Sequence, residues 1–182
     1  LIVYRMGLAA HASRALEGEG ARLYGGRWNP KGVRMVYAAS SRALCALESF
    51  VHFSSARLPA DYVSIAVEIP ETLAVETWTV ADLPHGWEQT PAPSVLQDMG
   101  AEWVRSGRTA VLRVPSAVIP DEFNVLLNPA HADARHVQAR APEPFVFDPR
   151  LIKAPLRNPR RARTAKATKQ EASAKKRAFR AK

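Results

Sequence analysis

The chain has 182 residues, 47% of them hydrophobic, with 26 Lys+Arg against 17 Asp+Glu and one cysteine. That content suffices for the core of a single domain. It supplies no apolar run near the ~20 residues a bilayer crossing needs, and one thiol excludes an internal disulfide framework. The basic excess is local: residues 153–182 hold twelve Lys+Arg and one acid, Glu171, for a net +11, whereas residues 1–152 carry 14 basic and 16 acidic groups, a net −2. The sequence therefore reads as a folded domain over 1–152 followed by a basic tail over 153–182 that is too poor in large apolar residues to order itself. A single thiol and no basic-then-apolar leader fit a reducing cytoplasm.

Short strands are expected at Ile2–Tyr4 and Arg34–Ala38. Between them, Gly18-Glu19-Gly20 and Gly25-Gly26 form neither a phosphate loop nor a dinucleotide fingerprint; they read as turns that let backbone pass close to a neighbour. Ser40 or Ser41 caps a helix carried by Ala43, Leu44, Ala46 and Leu47. At about 100° per residue, Leu44, Leu47, Glu48 and Val51 share an arc of roughly 80° that should face the core, with Arg42 and Ser49 opposite. Cys45 is read as a small core thiol on a side of the helix away from Glu48. Residues 62–69 alternate, with Val63, Ile65, Val67 and Ile69 on one side of a half-buried strand. Pro91 and Pro93 lead into a helix from Ser94 to Arg105, closed by Gly107. Strands follow at Thr109–Val114 and Asn124–Leu127, with a weaker one at Phe145–Phe147, and the proline-rich stretch Ala139–Asn158 is expected to wrap the surface. The fold class is α+β, a mixed, strand-rich sheet core with a few helices, and no internal repeat is present.

Glu48 is the residue that calls for an explanation, because a carboxylate on a core-facing stripe needs a cation or hydrogen-bond donors. Arg27, behind the Gly-Gly turn, is the nearest strong candidate, and the plainer reading of the two is a buried ion pair holding the turn on the helix. Tyr37 and Trp28 taken alone are packing residues. The histidines are scattered, and His131 and His136, five apart, do not put two metal ligands on one helical face. The tail is either a solvated extension or an arm resting on nucleic acid or another acidic partner; with Phe179 its sole aromatic it offers no stacking platform for bases.

Four blocks in order, Tyr4-Arg5, the run GEGARLYGGRWNPKGVRMVYAASSRALCALE at 18–48, Arg-Val-Pro-Ser at 113–116 and Asn-Val-Leu-Leu-Asn-Pro-Ala-His at 124–131, strongly resemble the RES-domain family. The resemblance covers about Val3 to His136 and leaves the tail outside. It implies a fold similar to ADP-ribosyltransferase toxins and the activity of a toxin from a bacterial type II toxin–antitoxin pair, which depletes NAD+ by breaking the nicotinamide–ribose bond. Hydrolysis or phosphorolysis is the expected route, and transfer of ADP-ribose to a protein is the alternative. It also implies NAD+ as substrate with no separate cofactor, and an antitoxin bearing an Xre-like helix-turn-helix region. DNA would be reached through that antitoxin, with at most a weak contact by the tail, and no membrane is involved. Carried over residue by residue, the functional positions are Arg5, Arg27, Tyr37, Glu48 and Ser116. Glu48, Arg27 and Tyr37 form the catalytic set, and Arg5, Arg27, Tyr37 and Ser116 the NAD-binding set.

The residue types suit that chemistry. Cleavage at a cationic nicotinamide builds positive charge on the ribose, which an anion such as Glu48 stabilises. The arginine forks match a diphosphate, and the Tyr37 ring could stack on a base while its hydroxyl meets the ribose. Ser116 either orients Glu48, touches ligand or forms a turn; Asn124, Asn128 and His131 are read as turn caps or rim, outside the catalytic set. A reading from another class, a basic nucleic-acid-binding or interaction protein whose domain only presents the tail, is separated by deleting 153–182.

Overall fold

The computed structural model describes residues 1–53 and 59–151. The tail expected over 153–182 lies outside the described residues. Two compact units divide at residue 147. Of the second, only a 3-10 turn at Pro149–Leu151 and the Arg150–Asp148 ion pair before it are described.

In chain order the first unit runs β1 (Ile2–Leu8), α1 (Glu19–Tyr24), β2 (Val36–Ala39), α2 (Arg42–Phe50), β3 (Tyr62–Glu68), β4 (Val75–Thr77), α3 (Ser94–Ser106), β5 (Val111–Pro115), β6 (Phe123–Leu127), β7 (Gln138–Ala139) and β8 (Glu143–Pro144). The strands form one mixed sheet in the order β4-β5-β6-β2-β1-β3-β7, with β8 also on β3. Among the described residues only β4–β5 is parallel; the other pairs are antiparallel. This is the expected α+β class.

Valine and isoleucine at alternate positions explain the sheet, since branched side chains fit a pleated, half-buried surface. The pairs Val3↔Val67, Val36↔Leu127 and Ala38↔Val125 place one apolar set on one face, where residues from 9–16 cover it. On the other face Leu112, Val114 and Leu126 meet Trp28, Met35 and, from α3, Leu96 and Trp103. A smaller group, Met6 and Ala39 with Leu44 and Cys45, seats α2.

The strand at 62–68 buries Val63, Ile65 and Val67 as the alternation requires, and α3 ends at Gly107 in the left-handed region, φ 57°. The expected strand at Phe145–Phe147 does not form. Pairing on β3 stops at Pro144, and Phe147 instead packs edge-on against Phe53 and Phe145. The apolar run at 145–147 requires burial, and an aromatic cluster satisfies it as well as a strand does. The extent of β1 to Leu8 and the short α1 were not expected, because glycines and few apolar residues blur both signals.

Candidate active site

The helix α2 begins as predicted, with Ser41 Oγ accepting a hydrogen bond from the Leu44 N–H at 3.0 Å. Its buried side differs from the expected stripe: Leu44 and Cys45 are buried, Glu48 is half-buried, and Leu47 and Val51 are 36% and 57% exposed. Leu47 and Val51 need no core because α2 is only nine residues long and rests one edge on β1 and β2. Cys45 and Glu48, three residues apart, consequently share a side instead of lying apart. Burial, reinforced by the Glu48 charge, pushes the Cys45 thiol up to about 12.

Glu48 is not paired with Arg27. Its Oε1 accepts from Ser116 Oγ at 2.7 Å and from Asn124 Nδ2 at 2.6 Å, while Oε2 bonds to no described residue. Ser116, fully buried after the end of β5, also accepts from the Val118 and Ile119 N–H groups, both at 3.0 Å. One donor and two acceptor sites are thereby used, so this hydroxyl faces Glu48 and has nothing left for a ligand. Asn124 arrives from β6, where it pairs with Ala39 of β2 and Val114 of β5. Sequence reasoning left it outside the set. The available signal was a polar amide inside an apolar strand, but only the sheet register brings it to a residue 76 positions away.

Arg27 Nη1 donates instead to the carbonyls of Trp87, 2.5 Å, and Gln89, 3.1 Å. Burial holds this guanidinium below its ordinary value, and the Glu48 charge, close enough to be felt, acts the other way. Neutral donors on the carboxylate and carbonyls on the arginine thus replace the expected ion pair, and the two groups make no direct contact. Arg5 is half-buried and donates through Nη1 to the Tyr37 carbonyl at 2.9 Å. Burial lowers its value too, against the opposing influence of Cys45 and Tyr62. β1 and β2 pair only at Tyr4↔Ala39, and the Arg5 side chain bonds across the gap that follows.

The Tyr37 hydroxyl donates to Asn29 Oδ1 at 2.7 Å and accepts from the Trp28 N–H at 3.0 Å. Burial raises this phenol well above its ordinary range, and the Trp28 N–H acts against that rise. The hydroxyl is thus tied into the Gly-Gly turn instead of standing free for a ribose. A Cβ on Gly26 would lie 2.5 Å from it, which is why the turn needs glycine there. Asn29, fully buried, ties the same turn to the Ala21 and Val33 carbonyls. α3 closes the back of the loop: Gln97 Nε2 donates to the Gly26 carbonyl at 2.9 Å, and Gly100 packs against the Trp28 backbone. Trp28 is 2% exposed and structural. Asn128 and His131 also serve the backbone, the first bonded to Val104 and Ala130, the second capping Asp133.

Two surface hollows, one around Leu8, Asp61, Tyr62 and Pro144 and one around Ile2, Glu68, His136 and Arg140, contain none of the five predicted side chains. The site is therefore recognised by its charges: a half-buried carboxylate with one oxygen free, and two half-buried arginines that have backbone carbonyls as partners. The sequence model of the RES domain matches residues 2–148. The chain belongs to the RES domain family.

Among its RES relatives, a Sphingobium protein named "Prs ADP-ribosylating toxin" is 46% identical over 140 residues, 76% of this chain and 87% of the relative. A Yersinia enterocolitica protein named "Toxin Res" is 36% identical over 152 residues, 83% of this chain and 99% of the relative. These relatives make the chain a RES-family toxin. The toxin–antitoxin complex MbcT–MbcA of M. tuberculosis contains a chain that superposes with a TM-score of 0.63 at 22% identity, over 83% of this chain and 86% of that one. That likeness is one of fold.

Proposed function

We propose that this RES-family toxin binds NAD+, breaks its nicotinamide–ribose bond and passes the ADP-ribosyl group to an acceptor. The observation that carries the reading is the Glu48 carboxylate, held at Oε1 by two neutral donors and open at Oε2. The departing nicotinamide takes the electron pair of the C–N bond and leaves neutral, so it needs no acid; the ribose is left with oxocarbenium character. An anion about 4 Å away, at an effective dielectric near 20, interacts with that charge by about 4 kcal/mol before desolvation, an upper limit of about 10³ in rate. A glutamate ion-paired to Arg27 would have spent much of that attraction.

Arg5 and Arg27, bonded to carbonyls alone among the described residues, are the groups we assign to the diphosphate, since a guanidinium can exchange a neutral acceptor for a phosphate oxygen. We assign the Tyr37 ring to flanking the site and its hydroxyl to holding the Arg27 turn. Ser116 orients Glu48 and makes no ligand contact.

For the acceptor, a protein side chain is favoured by the name of the 46% identical relative, which describes ADP-ribosylation. Water or phosphate is the second reading, and it shares every step up to bond cleavage. An antitoxin partner is supported by the toxin–antitoxin complex of similar fold. Purified toxin given NAD+ labelled on adenine, alone, with phosphate and with cell lysate, separates the cases. Label on a protein band only with lysate is the expected result, free ADP-ribose or its phosphate would assign the acceptor to solvent, and no loss of NAD+ in any arm would overturn the proposal.

A further inference from the structure

We propose that Asn124 is a positioning residue for Glu48, acting with Ser116 to fix one carboxylate oxygen and so aim the other; the inference rests on the NAD+-cleaving reading. An amide is poorly suited to a strand interior. Asn124 nevertheless sits in β6, half-buried, ahead of the buried Val125, Leu126 and Leu127. Two other asparagines direct their N–H donors to the backbone: Asn29 donates to the carbonyls of Ala21 and Val33, and Asn128 to that of Val104. Asn124 donates to a carboxylate, at 2.6 Å. That contact also fixes which way the amide is turned, because the opposite orientation would set its oxygen against Oε1.

The two donors reach Oε1 from different places. Ser116 is anchored by two backbone N–H groups after β5, and Asn124 is anchored by its register between β2 and β5. Held from two directions, the carboxylate cannot turn about its last bond, and Oε2 keeps one heading. Neither donor carries charge, so the grip sets orientation without weakening the field that the oxocarbenium-like ribose would experience. A lysine or arginine at 124 would hold Glu48 as firmly and cancel its charge.

The test is steady-state kinetics of NAD+ loss for wild type, Asn124→Ala, Asn124→Leu, Ser116→Ala and the Ser116→Ala/Asn124→Ala pair, with circular dichroism to confirm folding. Asn124→Leu keeps the shape of the side chain and removes the donor without adding charge beside Glu48, which separates loss of the hydrogen bond from loss of packing. Each Asn124 variant should lower kcat by about 10²-fold with KM changed less than about twofold, as expected for a misaimed group that does not touch substrate. The double variant should lose far less than the product of the two single losses, because both donors serve one oxygen. A kcat for Asn124→Leu within about twofold of wild type overturns the inference, as do multiplicative losses or a raised KM at unchanged kcat, while leaving NAD+ cleavage in place. A wild-type protein that consumes no NAD+ with lysate present removes the cleavage reading itself, and this inference with it.

Discussion

At the residue scale, the candidate site gathers a carboxylate and two guanidinium groups that are half removed from water. Glu48 is held by Ser116 and Asn124, and Arg5 and Arg27 by carbonyls, so no charge in the cluster is neutralised by direct contact with its opposite. Burial raises the Cys45 thiol to about 12, against the opposing influence of Arg5 and of the Met6 backbone. In an unfolded chain a thiol ionises near about 8.5, so above that pH the unfolded state sheds a proton that the folded state retains. The stability linked to Cys45 is thus complete below about pH 8.5 and is lost as pH rises toward the folded-state value. Urea unfolding at pH 9.5 should show about 1 kcal/mol less stability than at pH 7.5 from this source, and Cys45→Ala should lack that part of the decline. An equal decline in both proteins would mean that Cys45 is not buried as described. The inward aim of Glu48 was legible in the helical wheel, whereas its partners were not, because Ser116 and Asn124 lie 68 and 76 residues on. Proximity in sequence favoured Arg27, and the Trp87 and Gln89 carbonyls claimed it.

At the element scale, two helices divide the labour. α2 presents Glu48, and its start was readable from Ser41 because capping is a local interaction. Its buried edge was read one position astray, since a nine-residue helix gives a short window in which Leu47 and Val51 outweigh the small Cys45. α3 was legible from end to end through Pro93 and Gly107, yet nothing in its sequence announced what it supports. Its Gly100 lies so near the Trp28 carbonyl that an added Cβ would be 1.9 Å from the oxygen. Gly100→Ala must therefore push α3 off the loop that carries Arg27, at a cost of about 1–3 kcal/mol. A lowered urea midpoint is the expected outcome, and an unchanged midpoint would contradict the seating of α3 on that loop. The two-residue strands β7 and β8 were invisible in advance, because edge pairing of so few residues leaves no periodicity to read.

At the scale of the whole molecule, composition and fold speak about different parts. The family match ends at residue 148, and the excess of basic residues begins just beyond it. The charge of the whole chain, +9, thus carries no information about the site, and removing residues 153–182 should leave NAD+ consumption unchanged while abolishing any salt-sensitive binding to duplex DNA. Loss of NAD+ consumption on truncation would instead join the tail to the catalytic unit. The order β5-β6-β2 is what assembles the candidate site, since it lays Ser116, Asn124 and the strand leading into α2 side by side. A sheet with the same strands in another order would hold the same residues and no site. Under the proposed function Glu48 stabilises the charge developed when nicotinamide leaves, and nicotinamide release from NAD+ in the presence of lysate, for wild type beside Glu48→Gln, tests that role. Release by the wild type and a loss approaching about 10³-fold in a folded Glu48→Gln protein is the predicted result; equal release by the two proteins would contradict it.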